Sequence, residues 1–217
     1  MKTIRYILAM DTSAGSVSAC VYDCKNDKSL SDEYQDIAFS QGEVIIPMLD
    51  EVIKKSGINK SQIDAIAVCK GPGFFTGMRI GLSTAKALAL GLDLPIYGVD
   101  GLSVIAFENN NEKLTVIQET KRSDFYVAKF ENGVMINSIQ VLEYENINIY
   151  NDTLIGSGVK RFLGDNKIKN KIINQDYPTS VGVAGLISHN IKNGIDCSDI
   201  EALYLRCADV QMPKNQN

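Results

Sequence analysis

This sequence predicts an α/β fold in two lobes, with mixed sheets that carry helices on their faces. Three observations lead there. Residues 4–108 read strand, strand, strand, helix, strand, helix, strand, helix, and an antiparallel start followed by strand–helix alternation makes a mixed sheet. A polar break at Asn109-Asn110-Asn111 precedes a second set of strands. The chain, at 217 residues, is long enough for one large domain or two small lobes.

Residues 4–10 form an apolar run and a first strand. Asp11-Thr12-Ser13-Ala14-Gly15 is a turn, and residues 17–22 alternate well enough for a second strand of a hairpin. A third strand falls near residues 31–39. Residues 40–57 are helical: Val44, Ile45, Met48, Leu49, Val52 and Ile53 recur on one stripe, with Pro47 expected to kink or delay the helix. Residues 61–64 lead into Ala65–Cys69, a short apolar run that fits a strand buried on both faces. Residues 94–99 are a further buried strand, and Asp100 is placed to cap a helix over 101–108. This order is that of one lobe of the actin-like and Hsp70-like (ribonuclease H-like, ASKHA) fold.

The stretch 68–91, VCKGPGFFTGMRIGLSTAKALALG, organises this lobe. Gly71-Pro72-Gly73 breaks the strand, Thr76 is the expected N-cap, and a helix runs from about 77 to 90 with Gly91 as its left-handed stop. Two readings are open. A glycine turn at a helix N-terminus binds anions through free N–H groups and the dipole end. Alternatively Gly73, Gly77 and Gly81, at four-residue spacing, bare a smooth backbone for close packing. The stretch lacks the Gly-Lys-Ser/Thr ending of a Walker A loop and the spacing of a Rossmann fingerprint. Asp11 likewise has two readings: a carboxylate near a nucleotide's metal, as in sugar-kinase, Hsp70 and actin-like folds, or a turn residue bonded to its own backbone.

Beyond the break, residues 114–119, 125–130 and 134–142 read as strands, with Glu131-Asn132-Gly133 as a tight hairpin turn. Residues 152–158 carry a short strand into Gly156-Ser157-Gly158, residues 180–192 form a helix ended by Gly194, and 201–206 a last strand before a frayed tail at 212–217. The expected division is 1–108 for the first lobe, to which 198–217 is a candidate to return, and 109–197 for a reduced second lobe.

Hydrophobics at 45% and charges at 22% suit a soluble globular protein. With no long apolar window and no cleavage site after the first strand, the expectation is a cytoplasmic protein without membrane contact. Five cysteines (Cys20, Cys24, Cys69, Cys197, Cys207) show no CxxC pair and are expected as free thiols, mostly buried. A net charge of −4 and a pI near 5.1 make the chain a poor partner for a phosphate backbone on its own. The single histidine, His189, excludes any site that needs two from this chain.

ILAMDTS at 7–13, GPGFFTGMRIGLSTAKALALG at 71–91 and LYLR at 203–206 resemble the TsaB (YeaZ) family, the bacterial partner proteins of tRNA threonylcarbamoyladenosine synthesis. The resemblance runs through essentially the whole chain in order. Departures from the family pattern are Gln41-Gly42-Glu43 for His-Ser-Glu, Glu119-Thr120-Lys121 for Asp-Ala-Arg, and Ala202 for the usual proline.

The resemblance implies a non-catalytic activator of a larger paralog, TsaD, which holds a metal through histidines. That paralog transfers a threonylcarbamoyl group to N6 of adenosine 37 in tRNAs reading codons that begin with A. A TsaE-type ATPase completes the set, tRNA is met only through the complex, and the free protein pairs with itself as a homodimer. It also implies that the two helices dock the partner, through Val44, Ile45, Met48, Leu49, Val52, Met78, Arg79, Ile80 and Ser83. No catalytic residue, metal ligand or firmly bound cofactor is expected in this chain.

Two alternatives stand beside it. One is a nucleotide-binding or phosphoryl-transfer protein whose Asp11, Thr12, Ser13, Gly71, Gly73 and Thr76 hold phosphate and Mg²⁺. Its weaker form places ATP or ADP with Mg²⁺ at the boundary with the paralog. The other, a peptidase, has neither an HExxH motif nor a G-x-S-x-G elbow to draw on.

Overall fold

A computed structural model describes residues 3–37, 39–109, 112–164, 166 and 169–206. The expected break at 110–111, Cys207 and the tail at 212–217 lie outside the described residues. In the N-terminal part, β1 (Tyr6–Asp11), β2 (Ser16–Asp23), β3 (Lys28–Asp36), β4 (Ala65–Cys69) and β5 (Ile96–Val99) form a sheet of order β3-β2-β1-β4-β5. The first three strands pair antiparallel and β1, β4 and β5 pair parallel, as the mixed sheet requires.

Alternation along the strands sorts the core into two layers. Leu8, Met10, Val17, Ala19, Val21, Ile66 and Val68 point to the face covered by α1 (Gln41–Ser56) and α2 (Phe75–Leu92). Ile7, Ala9, Cys20, Tyr22, Ala65 and Ala67 point the other way, onto Val183, Ala184 and Ile187 of α5 (Ser180–Lys192). Small residues dominate this second layer, which lets α5 come close. The chain therefore returns to the first sheet by residue 180. Thr179 caps α5 by accepting a hydrogen bond from the Gly182 N–H at 3.0 Å. Gly194, at φ 68°, follows its end, as expected.

The second sheet has the order β11-β10-β6-β7-β8, with β9 also paired to β7. Its strands are β6 (Lys113–Glu119), β7 (Phe125–Glu131), β8 (Val134–Met135), β9 (Gln140–Leu142), β10 (Thr153–Ile155) and β11 (Ile172–Ile173). Helix α3 (Gly101–Asn109), capped by Asp100 through the Ser103 N–H at 2.7 Å, packs Leu102, Ile105 and Ala106 on one face of this sheet. Helix α4 (Val159–Leu163) covers the other with Val159 and Phe162. The turn at Asn132 (φ 50°) and Gly133 (φ 78°) has two positive φ values in succession, the type I′ hairpin that its sequence predicts.

Several expectations need correction. The third strand ends at Asp36, ahead of residue 39. The expected strand over 134–142 is two short ones, because the Asn137 side chain accepts the Lys129 N–H at 2.8 Å and takes the place of a ladder bond. Residues 201–206 form no strand: Leu203 N–H bonds the Lys70 carbonyl at 2.9 Å, and the ladder goes no further. Pro47 lies inside α1 without dividing it.

Helix α2 starts at Phe75 and runs through Gly91 to Leu92. Phe74 occupies the N-cap in place of Thr76, and Asp93, at φ 53°, takes the left-handed stop. Cys20, Cys24, Cys69 and Cys197 are free and buried. Among the described residues, no helix is long and apolar enough to cross a membrane.

Candidate functional site

The two places singled out by the sequence meet at one end of the first sheet, where the turn after β1 lies under the N-terminus of α2. The close-packing reading of the glycines is the one that the geometry bears. A Cβ at Gly73 would stand 1.9 Å from the Ser13 carbonyl oxygen, one at Gly77 2.1 Å from that of Thr12, and one at Gly81 2.6 Å from Thr12 Oγ1. The contact is then tied by polar bonds. Thr12 Oγ1 donates to the Gly77 carbonyl at 2.7 Å, and the Phe74 N–H donates to the Ser13 carbonyl at 2.7 Å. On the Cβ side of these glycines the space is thus filled by the β1 turn, and Thr12 and Ser13 are each 1% exposed.

Asp11 is wholly buried. Its Oδ1 accepts the Ser13 N–H at 2.9 Å, the turn geometry of the simpler reading. Oδ2 has no hydrogen-bond partner among the described residues. Burial pushes this carboxyl up to about 6, against the pull of its bonds to Ser13. The Ser13 hydroxyl faces Cys69 Sγ at 3.3 Å, and burial holds that thiol well above its ordinary value. Across the cleft, the Tyr177 hydroxyl lies where a Cβ on Gly15 would come within 2.5 Å. The gap left between the lobes here is about 10 Å³. Of the six residues expected to hold phosphate, Asp11, Thr12, Ser13 and Gly71 are therefore buried, Gly73 is pressed on Ser13, and Thr76 is exposed without a capping role.

The expected docking residues divide. Ile45, Met48, Leu49 and Val52 face the first sheet and, with Met78, are at most 5% exposed. They hold α1 and α2 to their own lobe and are buried in it. Val44 and Ile80 are half-buried beside them, and a Cβ on Gly42 would sit 3.6 Å from Ile80 Cδ1, where the two helices touch. Arg79 and Ser83 face outward. Sequence reasoning missed the rest of the outer face: Ile46 (54% exposed), Phe75 (46%) and Leu90 (87%). Ile46 lies one step off the buried stripe, which is the signal that was there to be read. A shallow groove lined by Phe75, Thr76, Arg79, Ile80, Ser83 and Thr84 runs along the open side of α2.

His189 is exposed on α5, its ring 5.8 Å from that of Phe107 and its Nε2 3.3 Å from Asn193 Nδ2. These contacts fit a helix-end packing role and present no nucleophile.

The profile of a family described as "TsaD: tRNA N6-adenosine threonylcarbamoyltransferase" matches residues 39–143. The tRNA threonylcarbamoyladenosine biosynthesis protein TsaB of Escherichia coli (strain K12) is 31% identical over 135 residues, 59% of this chain and 57% of that protein. The chain thus spans little more than half of that relative. TsaB of Buchnera aphidicola subsp. Schizaphis graminum (strain Sg) is 32% identical over 168 residues, 76% of this chain and 72% of that protein. The structure titled "YeaZ from Pseudomonas aeruginosa" superposes with a TM-score of 0.79 at 22% identity, covering 93% of this chain and 100% of that one, a likeness of fold. With the motifs at 7–13, 71–91 and 203–206, identity sustained over most of both chains makes this protein a member of the TsaB family.

Proposed function

We propose that this chain is the non-catalytic activating partner of a TsaD-type threonylcarbamoyl transferase. The reaction served is formation of N6-threonylcarbamoyladenosine at position 37 of tRNAs reading codons that begin with A. The observation that carries the reading is the outer face of α1 and α2. The two helices lie side by side, are fixed from beneath by their own core, and turn Ile46, Phe75, Ile80 and Leu90 partly or wholly to solvent. At 16 and 18 residues they are about 24 and 27 Å long at 1.5 Å per residue. That is room enough for the roughly 800 Å² per partner of a stable interface.

The names of the relatives support the pathway, and the sequence supports the division of labour. One histidine cannot supply the metal site that the resemblance assigns to the paralog. Docking acts by a population shift: the transferase conformation that accepts substrate gains contacts to α1 and α2 that its other states lack. The same face pairs with a second copy when the partner is absent, so homodimer and complex compete. A TsaE-type ATPase acts on the assembled pair. An adenine nucleotide shared with the paralog would have to sit outside the filled 11–15 turn.

The test mixes the purified chain with its TsaD-type paralog. Co-elution on size exclusion and a gain in tRNA modification are expected. Separate elution with no gain refutes the reading.

A further inference from the structure

On the side where α1 and α2 begin, the lobes are separated by a cleft of about 980 Å³. Its charge is at odds with that of the whole protein. The chain carries −4, yet the lining holds Arg79, Lys121, Arg122 and Arg206 against the one carboxylate of Glu43. Arg206 pairs with Asp124. The Arg79 guanidinium lies 3.6 Å from the Phe75 ring centre, and its Nε donates to the Tyr204 hydroxyl at 3.1 Å. Lys121 Nζ lies 3.8 Å from the ring centre of Phe74 and 5.6 Å from that of Phe39. Among the described residues these two cations meet π faces and a phenol, with no carboxylate in ion-pair contact. Their charge is oriented without being neutralised.

The rings are themselves open to a ligand: Phe39 is 78% exposed and Tyr204 46%. Cations that track a phosphate chain, interleaved with exposed rings that stack on bases, are the chemistry of single-stranded nucleic acid binding. An acidic peptide segment would use the cations and leave the rings without a role. We propose that the part of this cleft between Phe39, Lys121 and Tyr204, beside the helix residues that the partner covers, binds a single-stranded stretch of the RNA substrate, so that the chain adds RNA contacts of its own inside the complex. The proposal rests on the tRNA pathway assigned above.

The test measures fluorescence anisotropy of a labelled, unmodified tRNA transcript with an A-first-codon anticodon, bound to the complex with the TsaD-type paralog, over a range of salt concentrations. Lys121→Glu should weaken binding about three- to tenfold and lower the salt slope by about 1. Phe39→Ala should weaken binding about fivefold or more with the slope unchanged, as loss of a stacking ring does. Co-elution with the paralog and the thermal midpoint should match wild type in both. Unchanged RNA affinity in both variants overturns the proposal. Lost co-elution, with RNA affinity restored by excess paralog, also overturns it and assigns the cleft to an acidic segment of the partner. Should wild type form no complex, the failure belongs to the docking face, and the same two variants are read on the chain alone at low salt.

Discussion

Gly77→Ala should destabilise the protein by an amount that the packing under α2 sets. The added methyl would begin 2.1 Å from the Thr12 carbonyl oxygen and 3.3 Å from its carbon. Both atoms are backbone in a turn tied on either side to sheet strands, so no side chain can swing away. Restoring ordinary contact takes about 1 Å of relative movement between helix and turn. That movement stretches the buried bond from Thr12 Oγ1 to the Gly77 carbonyl, now 2.7 Å. Overpacking costs about 1–3 kcal/mol and the weakened bond about 1 more, for a total of about 2–4 kcal/mol. Against a typical stability of about 5–15 kcal/mol this is large.

Gly91 in the same helix is the control. Nothing lies within 4 Å of a Cβ built there, so Gly91→Ala should stabilise by about 0.5–1 kcal/mol through helix propensity alone. Urea unfolding followed by circular dichroism reads both. With a slope of about 1–3 kcal/mol per M, the Gly77→Ala midpoint should fall by about 1 M or more and the Gly91→Ala midpoint should rise by a few tenths. Midpoints that move together in one direction would refute the close-packing account of the glycine stretch.

Other expectations follow from the same geometry. Asp11, pushed up by burial to about 6, binds more protons folded than unfolded between its ordinary 3.8 and 6, so its contribution to stability falls as pH rises through that window, by about 3 kcal/mol in all. In urea midpoints measured from pH 4 to 7, Asp11→Asn should remove that part of the decline; equal slopes in the two proteins would contradict it. Thr179→Ala deletes the α5 cap and the bond from Thr179 Oγ1 to Glu108 Oε1, and should lower stability by about 1–2 kcal/mol, read as a fall in Tm. Met48→Asp sets a charge in the core and should unfold the chain or cost more than about 3 kcal/mol, whereas Ile46→Asp, two residues away and exposed, should stay within about 0.5 kcal/mol of wild type. Chemical unfolding of both variants checks the pair.

Much of the fold was legible because apolar runs and special residues agree. Ala65–Cys69 is flanked by breakers and buried throughout. Asn132-Gly133 names its own turn, and α1 has a stripe that only a helix produces. What escaped was short or decided by single bonds. Helix α4 has five residues and β11 two, both below the length at which periodicity can speak. Asn137 ends a strand through a side-chain bond that no propensity encodes. At the site, periodicity showed that α1 has one apolar stripe without showing where it points. A lone stripe on a helix beside a sheet goes to the core, so Ile45, Met48, Leu49 and Val52 point inward, and the exposed apolar residue on this helix is Ile46, off the stripe. For the glycines, spacing allowed two readings, and the choice lay in how near Thr12 and Ser13 come, a tertiary fact.

The docking claim is met most directly by amide hydrogen exchange on this chain, free and with its TsaD-type paralog, at concentrations where the free chain is monomeric. The account predicts added protection concentrated at residues 42–47 and 75–83. Protection gained elsewhere, with those two segments exchanging as in the free chain, would contradict it.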